Sequence, residues 1–125
     1  MKSNKSIYSL ESDKDAVMRG DVRAIERCIS SDNNLGVVFA IVSMVKHKVK
    51  SDFACEKLKE LKYKNEFEFC ADISAYAYAA LDLLGVEKYS GNNKAVLQLI
   101  KSNFDFGIGD WNWNYLINRK CGILA

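Results

Sequence analysis

Residues 33–49, NNLGVVFAIVSMVKHKV, decide the fold of this chain. Hydrophobic residues recur there at spacings of three and four, at Val38, Ile41, Val42, Val45 and Val49. This spacing indicates a buried face of an α-helix, and the two asparagines in front are typical helix caps. Several of these residues are β-branched, so a buried strand is the alternative. The length of the segment favours a central core helix.

Shorter segments on both sides of this helix carry their own start and stop signals. The chain contains no proline, so no helix interior loses a hydrogen-bond donor. The chain is therefore predicted to be all-α, a compact bundle of about five to seven antiparallel helices or a short solenoid-like stack. Five other helices are predicted, the first over residues 16–19 and the last over residues 95–104. Asp21 caps a second helix, which buries Val22, Ile25, Cys28 and Ile29, and Ser51 caps another, which buries Phe53 or Ala54, Leu58 and Leu61. A capping box, Asn65-x-x-Glu68, begins the remaining helix, which ends at Gly85.

Length and composition predict a single domain over residues 1–125. Residues 1–12 are expected to be loose because they are polar, and residues 105–125 to form an irregular C-terminal segment because hydrophobic periodicity fades from Asp105 onward. The N-terminal residues lack the apolar run of a secretory signal, which predicts a cytoplasmic protein. No segment has the roughly 20 apolar residues that a membrane-spanning helix needs.

The chain offers few groups for catalysis or metal binding. Its single histidine, His47, stands among lysines and one position off the hydrophobic stripe, which predicts a solvated surface residue. The four cysteines form no C-x-x-C pair and are expected to be reduced and mostly buried: Cys28, Cys55, Cys70 and Cys121. No phosphate-binding loop, zinc motif or nucleophile elbow is present. We therefore predict a non-enzymatic protein without metal or cofactor, and a small enzyme with an unrecognised carboxylate site is the least favoured alternative.

Charge and aromatic residues are unevenly distributed along the chain. Residues 1–64 hold 13 basic and 9 acidic groups (+4), whereas residues 66–110 hold 3 basic and 7 acidic groups (−4). Ten of the 14 aromatic residues lie between positions 67 and 115. Carboxylates together with Tyr and Trp suit contact with a basic protein. The candidate contact residues are Asp72, Asp82, Glu87, Tyr89, Asp105, Asp110, Trp111 and Trp113.

Two parts of this interpretation have alternatives. The aromatic segment 109–115 suits a lid over the core as well as a contact surface. The seven lysines between Lys46 and Lys64 suit a small helical adaptor that binds nucleic acid or an acidic protein. Acidic residues alternate with these lysines, so ordinary surface pairing, such as Glu56 with Lys59 and Glu60 with Lys64, is favoured.

Two stretches of the chain resemble a known family. The first runs from Val22-Arg-Ala-Ile-Glu-Arg-Cys-Ile29 through residues 33–42 and 56–62, and the second from Ala79-Ala-Leu-Asp-Leu-Leu-Gly85 through residue 93 to residue 106. Together they are similar to the small α-helical immunity proteins encoded beside bacterial contact-dependent growth-inhibition toxins. The resemblance covers about residues 22–106 and rests on a general pattern of helices and turns. It implies a cytosolic protein that binds one cognate toxin C-terminal domain, often a nuclease, and occludes its active site or substrate surface.

Overall fold

The computed structural model describes residues 15–69 and 71–104, and this part of the chain contains six helices and one two-stranded hairpin. The prediction of an all-α bundle is confirmed there. The expectations for residues 1–12 and 105–125 lie outside the described residues. In chain order the elements are α1 (residues 15–18), α2 (Val22–Ile29), α3 (Asn34–His47), α4 (Asp52–Leu61), β1 (Phe67–Glu68), β2 (Ala71–Asp72), α5 (Ile73–Leu83) and α6 (Lys94–Ser102).

Helix α3 is the centre of the core, as the sequence predicts, and the alternative of a buried strand is wrong. The Asn33 side chain accepts hydrogen bonds from the amides of Leu35 and Gly36, at 3.0 and 3.1 Å. The helix ends at Lys48, which adopts a left-handed backbone with φ 54°. Every residue from Leu35 to Val45 is buried. A helix that is hydrophobic on all sides must be enclosed by other elements.

Helix α5 is the second element of the core and touches α3, α4 and α6. Tyr76 lies at its centre and is fully buried. Its ring stacks on Phe104 with 6.2 Å between centroids, and its hydroxyl donates a hydrogen bond to the Glu68 carbonyl oxygen at 2.8 Å. Because α4 and α6 both pack on α5, the end of α4 lies beside the segment that joins α5 to α6.

The helix caps that depend on local sequence are confirmed. The Asp21 carboxylate accepts from the Ala24 amide at 3.0 Å, and the Ser51 hydroxyl accepts from the Ala54 amide at 3.2 Å. Gly85 has φ 75° and ends α5 in a left-handed turn. Asp21 and Ser51 each accept from an amide that the start of a helix leaves without a partner. Glycine allows the left-handed turn that ends α5.

The predicted capping box Asn65-x-x-Glu68 is wrong. Strands β1 and β2 pair there in antiparallel register, Phe67 opposite Asp72. The chain also folds back on itself, since the Ile73 amide donates to the Glu66 carbonyl oxygen at 2.8 Å. Helix α5 therefore begins at Ile73, eight positions after the predicted start at Asn65. Backbone pairing across the hairpin outweighs the local helix signal.

The predicted burial of Val22 is wrong, and of the two options Phe53 and Ala54 only Ala54 is buried. Val22 is 42% exposed and Phe53 is 53% exposed. Each lies about a quarter turn from the centre of the buried face of its helix, given 3.6 residues per turn. Ala24, at the opposite edge of the α2 face from Val22, is buried instead.

Candidate functional site

A cleft with a volume of about 580 Å³ lies between the C-terminal end of α4, helix α5 and the segment that leads to α6. Three tyrosines line it: Tyr63 from the end of α4, Tyr78 from α5 and Tyr89 from the connecting segment. Lys62 and Glu87 complete one wall. Clefts lined by aromatic side chains with a few placed polar groups are the usual form of a binding site.

The connecting segment 85–93 is fixed to the end of α5. Gly85 turns the chain, and the Val86 amide donates to the Leu81 carbonyl oxygen at 2.9 Å. The Asp82 carboxylate then accepts a hydrogen bond from the Tyr89 amide at 2.8 Å. Asp82 therefore positions the segment that carries Tyr89 into the cleft.

Tyr89 is held on both its ring and its hydroxyl. The ring packs edge-on against Tyr78 with 5.3 Å between centroids. The hydroxyl accepts a hydrogen bond from the Asn93 amide at 3.0 Å, while the Asn93 side chain caps α6 by accepting from the Ala95 amide at 2.8 Å. A Cβ on Gly91 would lie 2.7 Å from Cζ of the Tyr89 ring, so only glycine fits there without displacing the ring.

An ion pair connects α4 to the same segment. The Lys62 ammonium lies 2.9 Å from the Glu87 carboxylate and 5.5 Å from the centroid of the Tyr78 ring. The hydrogen bond between them raises the pKa of Lys62 and lowers the pKa of Glu87. Both groups are therefore charged at neutral pH. The pair joins residues that are 25 positions apart in sequence.

The structure brings together three of the predicted contact residues, Asp82, Glu87 and Tyr89, at the C-terminal end of α5. Asp72 lies in front of the N-terminal end, about 15 Å away at 1.5 Å per helical residue. Both Asp82 and Glu87 already have partners within the protein. The remaining predicted contact residues lie outside the described residues: Asp105, Asp110, Trp111 and Trp113.

The candidate contact residues predicted from the sequence do not include two exposed aromatic residues, Tyr63, which lines the cleft, and Phe67. Tyr63 is 77% exposed and Phe67 is 66% exposed, and both belong to the connection between α4 and α5. They are four positions apart in the chain, so their Cα atoms are at most about 14 Å apart. The polar residues between them signal a surface segment, but that pattern does not show that the cleft lies beside it.

The lysines between Lys46 and Lys64 are partly neutralised by surface ion pairs. Lys59 pairs with Glu56 at 3.3 Å, as predicted. The predicted pair of Glu60 with Lys64 is wrong, because Glu60 pairs with Lys57 at 3.3 Å. Each pair is exposed, and such pairs contribute only about 0–1 kcal/mol.

His47 is exposed, as predicted, and makes a contact with the beginning of the chain. Its Nε2 lies 2.8 Å from the Met18 carbonyl oxygen. It also lies directly against Gly20, where the backbone has φ 83°. The contact joins the end of α3 to the turn after α1.

Two of the four cysteines lie in the described part of the chain. Cys28 is buried, in agreement with the prediction, whereas Cys55 is partly exposed, and both are thiols. Burial raises the pKa of the Cys55 thiol. Cys70 and Cys121 lie outside the described residues.

Residues 15–69 and 71–104 include no cluster of three or more His, Cys, Asp or Glu side chains that would hold a metal ion. In the same two ranges, no helix has both the length and the apolar character needed to cross a membrane. Comparisons of this chain with protein-family models, curated proteins and solved structures found no match.

Proposed function

We propose that this protein acts by binding another protein, and that it is the immunity protein of a bacterial contact-dependent growth-inhibition system. It binds the C-terminal domain of the cognate toxin, a nuclease, in the cytoplasm and occludes the toxin's active site or substrate surface. The resemblance of residues 22–106 supports the identity of the partner. The cleft and its exposed aromatic rim support binding of a protein surface.

The observation that carries the proposal is the exposure of Tyr63, which lines the cleft, and of Phe67, four positions further along the chain. Large aromatic side chains supply contact area with few rotatable bonds, and they are enriched among the residues that dominate binding energy. Covering about 150 Å² of aromatic surface contributes roughly 4 kcal/mol before the entropic costs of association. Two such rings are enough to anchor an interface.

The cleft is also ordered before any partner arrives. Asp82, Glu87 and Tyr89 each take part in a hydrogen bond within the protein itself. A surface that is already in its binding geometry loses less conformational freedom on association. This favours a stable complex, which an inhibitor of a toxin requires.

At the cleft, the carboxylates of Asp82 and Glu87 do not fit the predicted charge complementarity to a basic partner. Asp82 and Glu87 support the cleft, so their carboxylates are not the free acidic groups that the sequence pattern suggested. Occlusion by shape around aromatic anchors remains the proposed mechanism. A contribution from Asp105 and Asp110 to a basic toxin surface remains a prediction.

The direct experiment is to mix the purified protein with the toxin domain encoded beside it and to measure affinity and toxin activity. Tyr63→Ala and Phe67→Ala should each weaken binding at least about tenfold, because each removes an aromatic side chain that the partner would cover in the complex. Phe53→Ala is the matched control, since Phe53 is an exposed aromatic residue ten positions from Tyr63 along α4. It should change the affinity less than about twofold.

Two results would count against the proposal. One is the absence of a complex at micromolar concentration. The other is an equal effect of the Tyr63, Phe67 and Phe53 substitutions, because binding would then not depend on the aromatic side chains beside the cleft.

A further inference from the structure

The cleft offers more hydrogen-bond donors than the protein itself uses. Tyr63, Ser74, Tyr78 and Lys88 all line it. Within residues 15–69 and 71–104, no hydrogen bond or ion pair involves the hydroxyl groups of the first three or the ammonium of the fourth. Their polar ends are therefore available to a bound group.

The acceptors around the cleft are largely engaged. The Glu87 carboxylate accepts from Lys62, and the Asp82 carboxylate accepts from the Tyr89 amide. The oxygens of Tyr89 and Asn93 accept from backbone amides of the segment and of α6. Neither carboxylate is free, and the ammonium of Lys88, unpaired within the described residues, favours an anionic ligand; the hydroxyls of the lining and the Asn65 amide can accept as well as donate.

Charge leads to the same conclusion. Two ammonium groups line the cleft, on Lys62 and Lys88, against the single carboxylate of Glu87. The Lys62 ammonium has three donors and uses one of them on Glu87. The residues that line the cleft thus carry one net positive charge; Asp82, which accepts from the Tyr89 amide, is not one of them. A guanidinium or ammonium group from a partner would be repelled, whereas an anion would be attracted.

We infer that the cleft receives a carboxylate of the partner polypeptide, from an Asp or Glu side chain. Its two oxygens offer about four acceptor sites, which match the ammonium groups of Lys62 and Lys88 and the hydroxyls of Tyr63 and Tyr78. The inference rests on the proposed function in one respect, that the partner is a polypeptide. It reverses the sequence-based expectation that this part of the chain presents acidic groups to a basic partner.

A phosphate carries the same acceptor chemistry, but the lining favours a carboxylate. No arginine lines the cleft among the described residues. Arginine is the residue whose planar fork binds phosphate through two parallel hydrogen bonds. The lining instead contains three tyrosine rings and two lysines and carries one net positive charge.

The test is a titration of the isotopically labelled full chain, followed by amide and side-chain NMR signals, with three probes. These are a blocked tetraglutamate peptide, a blocked tetralysine peptide and inorganic phosphate. Tetraglutamate should cause saturable changes at Tyr63, Tyr78 and Lys88, and tetralysine should not. Lys88→Gln should weaken tetraglutamate binding about two- to fivefold, the effect of one partly screened charge pair. Lys101→Gln, which removes an exposed lysine from the far end of α6, should leave it unchanged.

The outcomes separate this inference from the proposed function. Tetraglutamate binding at the cleft without any toxin complex would support the inference and contradict the toxin-binding role. If the toxin complex forms with the same affinity in Lys88→Gln, and tetraglutamate does not bind, the inference is overturned and the proposed function stands. Phosphate binding at these residues more tightly than tetraglutamate would also overturn it, in favour of a nucleic-acid ligand.

Discussion

Replacing Gly20 by alanine should destabilise the protein strongly, because two separate costs coincide there. The backbone has φ 83°, a region that costs an alanine about 1–2 kcal/mol. The new Cβ would also lie 2.5 Å from Cγ and 2.7 Å from Cβ of His47. Relieving such an overlap costs about 1–3 kcal/mol. Together the free energy of unfolding should fall by about 2–5 kcal/mol.

Gly85 provides the matched control. Its backbone has a similar φ of 75°, but nothing lies within 4 Å of the position where a Cβ would stand. Gly85→Ala should therefore cost only the conformational term, about 1–2 kcal/mol. The difference between the two variants isolates the close approach of Gly20 to His47.

Urea unfolding, followed by far-ultraviolet circular dichroism, measures both values. In a His47→Ala background, Gly20→Ala should become less harmful, since two of the three close contacts involve ring atoms that alanine lacks. Equal losses in Gly20→Ala and Gly85→Ala, or no relief from His47→Ala, would refute the packing of His47 on this turn.

Three further expectations concern the hydrogen bonds that hold the core and the cleft. Tyr76→Phe should lower the free energy of unfolding by about 1–2 kcal/mol in urea titrations, because it leaves the Glu68 carbonyl without that donor; an unchanged value would contradict the hydrogen bond. Asn93→Ala should cost about 1 kcal/mol and speed amide exchange at the start of α6, and unaltered exchange there would contradict the cap. Since the hydrogen bond to Lys62 lowers the pKa of Glu87, this pair stabilises the protein fully above the ordinary value of 4.5 and loses its effect as the pH falls through the lowered value. The stability difference between wild type and Glu87→Gln should therefore be constant near neutrality and shrink below pH 4.5; a difference independent of pH would show that the pair does not form.

The predictions that succeeded depend on signals within one helix. Asp21, Ser51 and Gly85 act on backbone groups within a few positions of themselves, so the local sequence contains the information. The central helix was predictable for the same reason, because its hydrophobic spacing extends over about three turns, from Val38 to Val49.

The predictions that failed depend on contacts between distant parts of the chain. Asn65 and Glu68 have the spacing of a capping box, yet hairpin pairing decides their conformation. The cleft needs Lys62 from α4 and Glu87 from the segment after α5, and nothing in either neighbourhood indicates that they meet. A count of charges also does not show that the Asp82 carboxylate accepts a hydrogen bond from the Tyr89 amide.

The measurement that tests the central claim most directly is amide hydrogen exchange of the chain, free and mixed with the toxin domain that we propose as its partner. Binding through the cleft should slow exchange in residues 62–67 and 85–93 and leave α2 unchanged. Protection confined to α2 or to residues 46–50, with the segments around the cleft unaffected, would contradict the account.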